Sequence, residues 1–106
     1  MPKSRSYKED LLKALQDDDE AAAYLDAALE ADDYAAFLVA LRNVTEAQEG
    51  VAALSQKTGL NRESLYRTLS EKGNPVLSSL TKVLQALGYR LSVTRMVEAA
   101  QDISTI

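Results

Sequence analysis

The 106 residues contain no cysteine, no histidine and no tryptophan, and only four glycines, two prolines and one phenylalanine. Without cysteine there are no disulfides, thiolate nucleophiles or Cys-based zinc sites. Without histidine the usual general base and the commonest imidazole metal ligand are missing. No Gly-rich phosphate loop and no nucleophile motif accompany the carboxylates, so no catalytic residue, cofactor or metal is expected and an enzyme is improbable. No apolar run approaches the roughly 18–20 residues of a membrane span. The opening Met-Pro-Lys-Ser-Arg-Ser is basic, but no apolar stretch follows it, so the expectation is a cytoplasmic protein rather than a secreted or membrane one. A chain this long buries roughly two-thirds of its unfolded surface, enough for one core without staples.

What is present is charge, and it is unevenly placed. The whole chain carries twelve basic and sixteen acidic side chains, a net of −4. Residues 1–50 hold five basic against twelve acidic, a net of −7. Residues 51–95 hold seven basic against two acidic, a net of +5. Such asymmetry suggests two surfaces with different partners, although solvated helix faces account for charge runs equally well.

The apolar period is helical nearly throughout. Tyr7, Leu11, Leu12 and Leu15 make a first stripe. Asp17–Asp19 offer an N-cap and first-turn anions for a second helix, whose inward residues are Ala21, Tyr24, Leu25, Ala28 and Leu29. Asp32 or Asp33 caps a third, with Tyr34, Phe37, Leu38, Leu41 and Val44 inward, ending before Gly50. A short helix runs from Val51 to Thr58 and stops at Gly59, and Asn61 caps another through about Leu69. Residues 70–75 form a loop rich in turn residues. Leu77, Leu80, Val83, Leu84 and Leu87 form the last stripe, closed by Gly88.

After Gly88 the period changes to two. Tyr89, Leu91 and Val93 alternate with Arg90 and Ser92, which predicts one β-strand in an otherwise all-α chain. A lone strand needs hydrogen-bond partners. The same strand of a second copy supplies them about a two-fold axis, and docking on the chain's own core or on water is the alternative. The resulting division is an N-terminal helical arm (1–32), a helical domain ending in the strand (33–95) and a tail (96–106).

Residues 51–69 have the spacing of a helix-turn-helix, with Gly59 permitting the left-handed backbone of a sharp bend and Leu54 and Leu65 packing across it. The second helix turns Asn61, Arg62, Glu63, Tyr66 and Arg67 outward, with Ser70 beside them. Arginine makes bidentate bonds to guanine, asparagine reads adenine, and tyrosine meets a phosphate or a thymine methyl. Gln56, Lys57, Ser70, Lys72 and Asn74 flank that face and suit backbone phosphates.

Gly59–Ser70, Gly73-Asn-Pro75, Leu80–Gly88 and Leu91-Ser-Val93, with the upstream Ala21–Glu30, resemble the addiction-module antidote family. The likeness covers roughly residues 17–95, and its motifs are specific in combination. It departs from the pattern at Ala52, where a polar cap is usual, at Ser55, Thr68 and Val76, none of which belongs to the outward set. The resemblance implies a lambda-repressor-like helix-turn-helix fold. It implies an antitoxin that neutralises a RelE/ParE-like toxin and, as a homodimer, represses its own operon by binding palindromic operator DNA in the major groove, commonly with the toxin as corepressor. Base reading then falls on Asn61, Arg62, Glu63, Tyr66 and Arg67. A toxin that grips RNA presents a basic surface, so Asp26, Glu30 and Asp33 are candidate toxin-facing charges, with helix capping as the competing role for Asp33. A stand-alone phage-type repressor without a toxin, and a protein-only inhibitor or adaptor, are the other readings.

Overall fold

A computed structural model describes residues 2–97, with side chains from Tyr7 onward. Six helices follow one another: α1 (Pro2–Ala14), α2 (Asp18–Glu30), α3 (Tyr34–Gln48), α4 (Val51–Thr58), α5 (Arg62–Thr68) and α6 (Leu77–Leu87). Their starts and stops have local causes. Asp17 accepts a hydrogen bond from the Glu20 amide and so caps α2, followed by three more acids in the first turn, where the helix dipole favours them. Asp33 caps α3 by accepting from the Ala36 amide at 3.0 Å. Asp32, just before it, takes the left-handed conformation at φ 57°, which aspartate tolerates better than most side chains. Gly88 ends α6 at φ 97°, beyond which a continued helix is impossible.

α3 is the central element. Phe37, Leu38, Ala40, Leu41 and Val44 on it are buried, and α1, α2 and α4 pack around it. α4 in turn packs on α5 and α6. One apolar cluster runs through the whole, from Leu15, Ala21 and Leu25 to Leu54, Leu65, Leu69, Val83, Leu84 and Leu87. The buried polar groups are paired inside it. Asn43 donates to the Tyr24 hydroxyl at 3.0 Å, and Thr45 donates to the Leu41 carbonyl.

Three expected inward residues point out. Tyr34 is 75% exposed, because it is the first residue of α3 and lies beyond the reach of its neighbours. Leu77 is exposed for the same reason at the start of α6, and Tyr7 is exposed on α1. Among the described residues there is no strand. Residues 89–96 carry neither helix nor ladder. A strand exists only through a second strand's hydrogen bonds, and here Tyr89 bonds back to the Leu84 carbonyl while 90–96 have no backbone partner among the described residues. Of the expected tail, residues 98–106 lie outside the described residues.

Candidate nucleic-acid interface

The basic half folds around one bend. α4 ends at Gly59, whose φ of 78° is left-handed and whose amide donates to the Ser55 carbonyl at 2.9 Å. The two residues after it are then fixed by side chains of α4. Ser55 donates its hydroxyl to the Leu60 carbonyl at 2.6 Å. Thr58 donates to the Leu54 carbonyl and accepts from the Leu60 amide. Ser55 thus does more than fit a close approach, since it ties the turn to the helix before it. Asn61 caps α5 by accepting from the Ser64 amide at 2.7 Å. Leu65 and Leu69 are wholly buried and hold α5 down by its inner edge.

That anchoring decides what α5 shows to solvent. Arg62, Glu63, Tyr66 and Arg67 are all exposed on its outer side, with Asn61 at its start. Neither Arg62 nor Arg67 forms an ion pair among the described residues, so both guanidinium groups are available to a ligand. Asn61 keeps its amide donors free but has committed its carbonyl oxygen to the cap, which limits bidentate reading to a rearranged side chain. The flanking set divides. Gln56, Lys72 and Asn74 are exposed. Lys57 is held by Glu49 at 2.8 Å. Ser70 donates to the Arg67 carbonyl at 2.7 Å, closing α5. Gly73 is where the following loop touches α5, and a Cβ there would collide with the Thr68 carbonyl oxygen.

One residue of this surface was missed in the sequence reading. Arg42 of α3 places its guanidinium over the Tyr66 ring, 5.1 Å from the centroid. Its Nε also meets Glu46 at 3.1 Å, and Glu46 is 3.7 Å from Lys8 of α1. The available signal was that Arg42 is the lone cation between Lys13 and Lys57.

The other expected groups lie elsewhere. Asp26 and Glu30 are exposed on the outer side of α2, while Asp33 is spent on capping α3. In the segment expected to pair, the Tyr89 hydroxyl accepts from Gln48 at 2.9 Å and Leu91 packs against the core. Arg90, Ser92 and Val93 are exposed, and Val93 wholly so. Among the described residues no group of carboxylates is arranged to hold a metal ion, and no helix is long and apolar enough to cross a membrane.

Residues 6–95 match the family model described as probable addiction module antidote protein. The chain belongs to that family. It is also 31% identical over 84 residues to an uncharacterized protein of Haemophilus influenzae, covering 79% of this chain and 86% of the relative. No solved structure matches it. The family gives the antidote its general role, that of the antitoxin in an addiction module. The α4–α5 surface lies within the matched residues.

Proposed function

We propose that this antidote is a DNA-binding autorepressor that also sequesters a RelE/ParE-like toxin. The observation that carries the reading is the outer side of α5. It presents Arg62, Glu63, Tyr66 and Arg67 from a helix clamped along its inner edge and set by a left-handed glycine bend. α4 and α5 act as a lambda-repressor-like helix-turn-helix, with α5 entering the major groove. Arg62 and Arg67 reach guanine edges, Glu63 accepts from cytosine, and Tyr66 meets a phosphate or a thymine methyl. Asn61 contributes its amide donors. Gln56, Lys72 and Asn74 hold phosphates, joined by Ser70 and by Lys57 once it leaves Glu49. Two copies read a palindrome with half-sites about 34 Å apart, and 89–93 of each copy pair as antiparallel strands. The outer side of α2, through Asp26 and Glu30 with the Asp33 corner, faces the cationic toxin.

A mobility shift on DNA from upstream of its own gene tests the DNA half. Wild-type protein binds with an affinity that falls steeply with salt. Arg67→Ala weakens the specific complex by about 1–3 kcal/mol at constant salt. Equal binding by wild type and variant removes Arg67 from base reading, and no complex at low salt removes DNA recognition altogether. Co-expression with the product of the adjacent open reading frame tests the toxin half. Growth rescue and co-purification are expected, and the absence of both leaves a repressor alone.

A further inference from the structure

The exposed apolar side chains of this molecule are not scattered. Tyr34, Val76 and Leu77 are each 65–75% exposed, and Tyr34 and Leu77 line one groove together with Phe37, Leu38 and Leu80. Phe37 also lines a second groove, formed by Leu25 and Leu29 of α2 and by residues 89–92 of the segment after α6. Val93, Met96 and Val97, next along that segment, are exposed as well. Monomeric proteins rarely keep contiguous apolar surface of this kind uncovered, and a half-exposed extended segment with unpaired backbone adds a second open requirement on the same side.

We propose that the face centred on Tyr34, Val76 and Leu77 packs against the same face of a second copy of this chain, beside the paired 89–93 segments. The charges around the groove choose this occupant. One rim carries the acids Asp32 and Asp33, next to Tyr34, and the other carries Lys72, next to Gly73. A two-fold axis lying in the plane of contact brings the acidic rim of one copy opposite the basic rim of the other. The surface is thus complementary to itself. A uniformly cationic partner such as the toxin meets attraction on one rim and repulsion on the other, and finds a better match on the acidic outer side of α2. The position also serves DNA reading. The groove directly follows α5 along the chain, so a contact here holds two reading helices side by side on one face of the dimer.

The inference rests on the dimeric reading above and fixes its surface. Its test is the mass of the full chain in solution by light scattering and sedimentation, without DNA or toxin. Failure of DNA recognition and failure of this contact are therefore read separately. Wild type runs at twice 11.6 kDa at micromolar concentration. Leu77→Asp, at a position too exposed for the fold to need it, raises the dimer dissociation constant by about 100-fold or more, because each copy buries an unpaired carboxylate in the contact. Its thermal unfolding and its toxin capture stay at the wild-type level. The milder pair Val76→Ser and Leu77→Ser gives the same direction with a smaller shift. A wild-type monomer at 100 µM would overturn the proposal. So would a Leu77→Asp protein that remains dimeric, or one that keeps its dimer and loses the toxin, which would give the face to the toxin instead.

Discussion

At the scale of single residues, the two glycines of the α4–α5 region separate two kinds of constraint. Gly59 has a left-handed backbone, but nothing lies within 4 Å of where a Cβ would stand. Gly59→Ala therefore meets only the conformational cost of that backbone, about 1 kcal/mol. Gly73 is the reverse. Its backbone is ordinary, and a Cβ would run into the Thr68 carbonyl, which cannot rotate away. Gly73→Ala must displace either the end of α5 or the loop that carries Lys72 and Asn74, at about 2 kcal/mol or more. Urea unfolding of the two variants orders them, with Gly73→Ala the less stable. The opposite order would mean that the loop relaxes freely and does not set the position of Lys72. The sequence pattern pointed to Gly59 through the spacing of the two helices. It was silent on the reason for Gly73, because close approach of one backbone to another leaves no periodic trace.

At the scale of elements, the contacts that orient α5 come from distant parts of the chain. Arg42 joins α3 to α5 through Tyr66 and to Glu46 along its own helix, and Lys8 brings α1 to the same carboxylate. Each link is partly exposed, so each contributes little stability, about 0.5–1 kcal/mol for the stacking and about as much or less for the ion pairs. Their effect is on where the Tyr66 ring sits. Arg42→Ala is expected to lower specific DNA affinity several-fold while shifting the unfolding midpoint only slightly, and Arg42→Lys, which keeps charge without the planar stack, falls between. Unaltered DNA affinity in Arg42→Ala would show that Tyr66 needs no such support. Helix existence was legible from the i, i+3, i+4 stripes, and the caps Asp17, Asp33 and Asn61 from residue type. Helix ends were read less well. Tyr34 and Leu77 fit their stripes in phase, but phase says nothing about whether a neighbour extends far enough to cover a first turn. The 89–93 alternation was equally visible, yet a strand depends on a partner that a periodicity cannot contain. Arg42 and its ring contact were illegible because 24 positions separate residues that touch only after folding.

At the scale of the whole molecule, the contrast of charge between the two halves does not correspond to a break in the core. Leu15, Ala21 and Leu25 from the acidic part belong to the same buried cluster as Leu54, Leu65 and Leu84 from the basic part. Gln48 adds a polar tie, since its amide reaches the Leu15 carbonyl, Asp18 and the Tyr89 hydroxyl together. The molecule thus segregates its electrostatics on the surface while sharing its hydrophobic stabilisation. Leu25→Ala removes a side chain that is 5% exposed and leaves a cavity against Phe37, so it is expected to cost about 2–4 kcal/mol. If the halves share one core, that loss is felt everywhere, and unfolding remains a single transition. Amide exchange should then accelerate in α5 as well as in α2, and binding of DNA should weaken near the lowered midpoint although Leu25 lies on the opposite arm. Two separated calorimetric transitions, with α5 exchange unchanged, would mean that the acidic arm folds and melts alone. In that case toxin capture and DNA reading would be energetically independent, and a toxin bound at α2 could influence repression only through direct contact, not through the stability of the reading helix.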